Sequence, residues 1–153
     1  VTPFLWFEKD AAGVARYYRD IFGPDNVKFA NGQSMEDTPS GSVQVVSLTI
    51  FDQPFRLMSA GPHHEFNDSV SFQVDCKDQA EIDYYWENLT ADGGEESMCG
   101  WLKDKFGVSW QVTPENMGEL MGGGDKEKSE KAMQAMLKMH KLVIADLEAA
   151  TNS

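Results

Sequence analysis

The sequence predicts an α+β chain. Two βαβββ modules form a curved mixed sheet around a cavity, and a helical C-terminal extension follows. Three observations carry that expectation. The strand–helix grammar occurs twice, and aligning Tyr17-Tyr18 with Tyr84-Tyr85 gives an offset of 67 residues (84 − 17). At that offset Leu5 falls on Phe72, Phe7 on Val74, Ala15 on Ile82 and Phe22 on Leu89. Each strand–helix pair is followed by three strand-like segments, and after Pro114 the apolar period changes from that of a strand to that of a helix. Two matched half-sheets, each leaving one face apolar, are expected to pack as one unit around a shared concavity.

In the first module, residues 3–8 read as a strand. Asp10 is placed to cap a helix over 11–22 with apolar or aromatic positions at Val14, Tyr17, Tyr18, Ile21 and Phe22, and Gly23-Pro24 stops it. Residues 27–30 form a short strand, and 31–42, rich in Gly, Ser, Asp and Pro, read as a mobile loop. Residues 43–51 (VQVVSLTIF) are the clearest strand. A turn at Asp52-Gln53 returns the chain into 55–60. Residues 61–68 read as a linker, and with them the adjacent His63, His64 and Glu65 as an exposed polar loop.

The second module opens with a strand over 69–75 and a helix from the Asp78 cap to about Leu89, ended near Asp92-Gly93-Gly94. Its closing stretch, 93–114, has the grammar of a β-hairpin: two Trp-containing apolar runs around a charged turn at Lys103-Asp104-Lys105. One domain thus covers 1–114, as modules of about 1–62 and 68–114. The extension, 115–153, packs on that domain or on a dimer partner. In it Gly122-Gly123-Gly124 is a hinge and Asp125 the cap of one long helix. Its stripe runs through Ala132, Met133, Met136, Leu137, His140, Val143, Ile144 and Leu147.

Composition narrows the function. A net charge of −12 repels a phosphate backbone, and the lysines are interleaved with acids, so no nucleic-acid partner is expected. No apolar run approaches the ~20 residues that span a bilayer, and no n-region and h-region of a secretory signal stand at the start, so neither membrane insertion nor secretion is expected. Cys76 and Cys99 are too few for a disulfide framework and lack metal-ligand spacing; a cytoplasmic protein with reduced thiols is expected. The residues best suited to line a pocket for a flat, moderately apolar small molecule are Trp6, Phe72, Cys99, Trp101, Trp110 and Gln111. Strand alternation forbids all of them from facing one cavity, and sequence alone does not say which face is concave.

Several stretches carry a family resemblance: PFLWF at 3–7, SFQVDC at 71–76, DYYW at 83–86, GGEE at 93–96, CGWLKDKFG at 99–107, SWQVTP at 109–114 and AMLKM at 135–139. They resemble the PhnB-like branch of the glyoxalase/bleomycin-resistance/dioxygenase (vicinal oxygen chelate) superfamily, whose members often bear the label 3-demethylubiquinone-9 3-methyltransferase. The resemblance implies eight strands curved around a cavity, commonly in a homodimer. It also implies where a metal would be held in the superfamily's enzymes: on the first and last strands of each module, near Thr2, Ser69, Leu57, Met58, Trp110 and Gln111 here. Only Gln111 is even a weak ligand, so no metal is expected. Nor does a Gly-rich turn follow the first strand, as an S-adenosylmethionine site of the common type would need, so no cofactor is expected. The expectation is a metal-independent small-molecule-binding protein. An enzyme of the same fold is the alternative, either of the metal-dependent lyase, isomerase or dioxygenase type or with the methyltransferase activity of the label.

Overall fold

The computed structural model describes residues 1–39 and 41–153, with backbone alone at 31–33 and 35–37. They fall into two compact units, Val1–Glu65 and Phe66–Ser153.

The first unit runs β1 (Phe4–Phe7), α1 (Ala11–Phe22), β2 (Val27–Thr38), β3 (Gly41–Ile50) and β4 (Gln53–Ser59). Its sheet has the order β1-β4-β3-β2, with β1 parallel to β4 and the other pairs antiparallel. Helix α1 begins where the Asp10 carboxylate accepts a hydrogen bond from the Gly13 N–H at 3.0 Å. A Cβ at position 13 would overlap that carboxylate. The helix ends at Gly23, whose φ of 92° turns the chain while its N–H donates to the Arg19 carbonyl. Its buried Val14, Tyr18, Ile21 and Phe22 lie over Leu48, Phe55 and Leu57, each side chain contributing ~1.5–3 kcal/mol by leaving water.

Two expectations for this unit are corrected. The stretch 31–42 is strand for most of its length: β2 continues to Thr38 in register with β3, with shifts between Phe29 and Gly32 and between Met35 and Thr38. Ser40 of that stretch lies outside the described residues. Its Gly, Ser and Asp have loop composition, but β3 is long and β-branched, and pairing satisfies its backbone groups whatever residues the partner supplies. Register shifts absorb the poor strand formers, and polar residues suit an outermost strand. The turn between β3 and β4 is Phe51-Asp52, one residue earlier than the expected Asp52-Gln53, because both residues take left-handed φ (47° and 64°) and Ile50 pairs with Gln53.

The second unit repeats the plan: β5 (Ser71–Cys76), α2 (Gln79–Thr90), a 3-10 turn (Ala91–Gly93), β6 (Glu95–Glu96), β7 (Trp101–Lys103) and β8 (Ser109–Pro114). The order β5-β8-β7-β6, with β5 parallel to β8, matches the first sheet strand for strand. Asp78 caps α2 through the Glu81 N–H at 2.9 Å, and the Glu81 carboxylate reaches back to the Lys77 N–H. The 67-residue offset therefore aligns the start of β1 with that of β5, and α1 with α2 to within one residue.

The extension belongs to the second unit. After the short α3 (Met117–Leu120), the one long helix expected from Asp125 is instead two, α4 (Lys126–Met136) and α5 (Ile144–Thr151). No Gly or Pro stops α4. The Cys99 and Gly100 N–H groups donate to the Met139 and His140 carbonyls at 2.8 Å, which draws those carbonyls out of any helical ladder. Of the expected stripe, Ala132 and Leu147 are fully buried, whereas Met133 and Leu137 are exposed.

Candidate ligand-binding site

Because successive strand residues point to opposite faces, the registers sort every side chain of each sheet. In the second sheet Phe72, Val74, Leu102, Trp110 and Val112 share the face that α2 covers. Ser71, Gln73, Trp101, Lys103, Ser109 and Gln111 share the helix-free face. The six sequence candidates separate accordingly. Trp101 and Gln111 are directly opposed across β7 and β8 on the helix-free face. Phe72 and Trp110 are opposed on the covered face, rings 5.5 Å apart, and Trp110 is 3% exposed. Cys99, with φ of 60°, precedes β7, and its half-buried Sγ lies 3.6 Å from the Met136 carbonyl of the extension.

Trp6 lies in the first unit, on β1 beside Met58, facing away from the α1 side that Phe7 and Ser59 occupy. Its indole N–H donates to the Gly61 carbonyl at 3.0 Å, and the His64 ring meets it edge-on at 4.8 Å. Of the six, then, Trp6, Trp101 and Gln111 occupy helix-free faces.

The helix-free face of the second sheet is a polar lattice. Gln111 donates from Nε2 to the Ser71 hydroxyl at 3.0 Å, and Gln73 to the Asp75 carboxylate at 2.7 Å. At its edge a cleft of about 130 Å³ is lined by Asp68, Glu95, Trp101 and Lys103. Asp68 accepts from the Ser109 hydroxyl at 2.9 Å and lies 3.3 Å from Lys103 Nζ. The Ser109 hydrogen bond first, and the lysine second, hold its carboxyl below the ordinary carboxylate range.

A larger cleft, about 450 Å³, indents the helix-free side of the first sheet, where Lys28, Ser47, Thr49 and Arg56 line it. None of the six sequence candidates does. The missed signal was alternation in Phe55, Arg56, Leu57: two core residues bracket one cation, so Arg56 must face the other way.

A metal fits poorly in the places the superfamily implies. Leu57 is fully buried and Trp110 is committed to the core, which leaves Gln111 as the one side-chain amide donor among those strand positions. Among the described residues no three His, Cys, Asp or Glu side chains gather as a ligand group, His63, His64 and Glu65 included.

The family model described as 3-demethylubiquinone-9 3-methyltransferase matches residues 1–113. The chain belongs to that family. A putative 3-demethylubiquinone-9 3-methyltransferase, PhnB protein, from Bacillus cereus is similar at 26% identity and a TM-score of 0.65, over 74% of this chain and 98% of that one. Protein PA1353 from Pseudomonas aeruginosa shares the fold at 20% identity and a TM-score of 0.52, over 74% of this chain and 96% of that one. So does the fosfomycin resistance protein FosX from Listeria monocytogenes, at 16% identity and a TM-score of 0.53, over 78% and 93%. No curated protein sequence matches the chain. The 3-demethylubiquinone-9 3-methyltransferase-like family thus places the chain in the PhnB-like branch, with the glyoxalase/bleomycin-resistance fold as two βαβββ modules and a helical extension. Among the described residues no helix is long and apolar enough to cross a membrane.

Proposed function

We propose that this chain is a metal-independent small-molecule-binding protein that uses a helix-free sheet face. The observation that carries the reading is the lining of such faces. Trp101 and Gln111 are opposed across one sheet, and hydroxyl and cationic groups line the larger cleft of the other. Such a surface orients a ligand by stacking and hydrogen bonding, without the hard donor set a catalytic cation needs. On the second sheet Trp101 and Gln111 are the contact residues in this reading, with Phe72 and Trp110 shaping that sheet from behind, and on the first sheet the contact residue is Trp6.

The test is a ligand screen read by Trp fluorescence and thermal shift, run beside titrations with zinc, nickel and manganese. Hits lost in Trp101→Ala and Gln111→Ala support the reading. A stoichiometric metal that raises Tm and is required for those hits rejects it.

The family description favours a second reading, methyl transfer to a ubiquinone precursor. Residues 8–14 after β1 carry one glycine, Gly13, which the Asp10 cap uses, so no Gly-rich cofactor turn stands there. Saturable S-adenosylmethionine binding in calorimetry would favour this second reading; its absence at millimolar cofactor would reject it. We further propose a cytoplasmic homodimer, on the free thiols of Cys76 and Cys99 and on the homodimer habit of the fold. A monomer in sedimentation equilibrium at working concentration, or recovery in a secreted or membrane fraction, would overturn that part.

A further inference from the structure

In a chain of net charge −12, two cations face one cleft, and among the described residues no acid holds either of them. Lys28 on β2 opposes Thr49 on β3, and Arg56 on β4 opposes Ser47 on β3. The two cations therefore flank the central strand on the same side of the sheet, on strands roughly 10 Å apart. Between them lie the Ser47 and Thr49 hydroxyls, both half-buried. Among the described residues neither Lys28 nor Arg56 forms an ion pair, whereas Lys77, Lys103, Lys131 and Lys141 each have a carboxylate partner. Among the described residues one acid, Asp52, lines the same cleft from the β3–β4 turn, more than ion-pair distance from both cations. The wall thus keeps an excess positive charge where the rest of the chain is acidic.

We propose that this cleft is an oxyanion site, built to hold the carboxylate or phosphate group of a small ligand between Lys28 and Arg56, with the Ser47 and Thr49 hydroxyls donating from its floor. A guanidinium presents two parallel N–H donors to a carboxylate or phosphate edge, and a lysine adds a mobile point charge. The cleft volume falls within the ~300–1,000 Å³ of small-molecule sites, so the anionic group is one end of a larger molecule. The long-range field of the protein repels anions, so affinity has to come from this local pair and to weaken with salt. The proposal rests on the small-molecule reading above and names the chemistry of its ligand.

The experiment is a titration of the 15N-labelled chain with inorganic phosphate, and separately with acetate, followed by amide chemical shifts at low and at 0.5 M salt. The expected result is saturable movement centred on residues 28, 47, 49 and 56. Saturation with phosphate alone assigns the site to phosphate groups, and saturation with both ions assigns it to oxyanions in general. Arg56→Ala and Lys28→Ala should each weaken binding at least tenfold, Arg56→Lys by less, and Asp52→Asn should tighten it. Lys126→Ala, on α4, should change nothing. All these positions are exposed, and an unchanged spectrum away from the cleft verifies each fold. Shifts scattered over the lysines, or equal loss in Lys126→Ala, would overturn the proposal, as would no saturation by 50 mM of either ion. If neither ion saturates while neutral ligands still require Trp101, this inference falls and the small-molecule reading stands. If both anions and neutral ligands fail, both fall.

Discussion

Asp104 holds Trp110 from six residues away: its Oδ2 accepts the indole N–H at 2.9 Å, while its Oδ1 accepts the Phe106 and Val108 N–H groups at 2.9 and 3.1 Å. The carboxylate, 2% exposed, thereby staples the turn between β7 and β8 to the core beneath them. Hydrogen bonds to a charged acceptor are worth ~1.5–3 kcal/mol, and a buried donor left without one costs a similar amount. Asp104→Asn, which loses the charge and misplaces one acceptor, should destabilise the protein by about 2 kcal/mol, and Asp104→Ala by more. Urea unfolding followed by Trp fluorescence measures both, with Lys105→Ala as a neighbour expected to stay within about 0.5 kcal/mol of the parent. Equal midpoints for Asp104→Asn and the parent would refute the staple.

The two cysteines differ in reach. Burial pushes the Cys76 thiol up to about 12, aided by the carboxylates of Glu81 and Asp75, and Cys99 is half-buried at the surface of the second unit. Only Cys99 should react with a disulfide reagent in the native protein at pH 8, and both in denaturant. The raised value also fixes a sign. An unfolded thiol titrates near ~8.5, so the contribution of Cys76 to stability is complete below that pH and is lost as pH rises toward 12. Stability of Cys76→Ala should therefore fall less steeply above pH 9 than that of the parent. Two fast-reacting thiols, or parallel alkaline slopes, would contradict this account.

Much of the fold was legible because its determinants are local. Asp10 and Asp78 each accept the N–H three residues on, as a cap read from sequence should, and the Tyr17 and Tyr84 registers place both helices to within one residue. What escaped was non-local. The loop-like composition of 31–38 gave way to the pairing demand of β3, and α4 stopped at Met136 because the backbone of Cys99 and Gly100 claimed the carbonyls beyond it. The site was half legible. Aromatic residues marked strands, but which of Trp101 and Trp110 faces the helix depends on register, which Trp101↔Gln111 and Leu102↔Trp110 supply. Lys28 and Arg56 passed as ordinary surface charges, since the lack of an acidic partner among the described residues is a property of space and not of spacing.

The β3–β4 turn sets steric cost against ring packing. A two-residue turn with both φ positive favours Asn-Gly, and a left-handed L-residue costs roughly 1–2 kcal/mol. Phe51 stays there, 46% exposed, with its ring edge-on to Phe22 at 5.6 Å. Asp52→Gly should stabilise the first unit by about 0.5–1 kcal/mol, because nothing packed is given up. Phe51→Gly should gain less, since it forfeits the ring contact, worth ~0.5–1.5 kcal/mol. Thermal unfolding of the two variants and the double mutant decides it, and a larger gain for Phe51→Gly than for Asp52→Gly would sink the argument.

One amide anchors the entry into α5, beside the backbone bonds from Cys99 and Gly100 to Met139 and His140. Gln79 donates from Nε2 to the Leu142 carbonyl at 3.0 Å and accepts the Ile144 N–H on Oε1 at 2.8 Å, so a single side chain fixes the entry into α5. Beside it Lys141 meets Asp83 at 2.7 Å, and His140 Nδ1 lies 2.8 Å from the Ser97 carbonyl. Leu142 and Leu147, both fully buried, supply the apolar contact. Leu147→Ala should cost ~2–5 kcal/mol, Gln79→Ala about 2 kcal/mol through its two orphaned backbone partners, and Asp83→Asn no more than about 1 kcal/mol at this exposed pair. The Lys141 hydrogen bond first, then Gln79, keeps the Asp83 carboxyl below its ordinary range. Its contribution is therefore full above the unfolded value of ~3.9 and disappears as pH falls through the lower native one. Hydrogen exchange over 137–151 should accelerate in Gln79→Ala at neutral pH and, in the parent, only below about pH 4. Deleting 125–153 should unfold the second unit while β1–β4 keep their protection. A truncated chain whose second unit keeps full protection would show that these contacts decorate the unit and do not complete it.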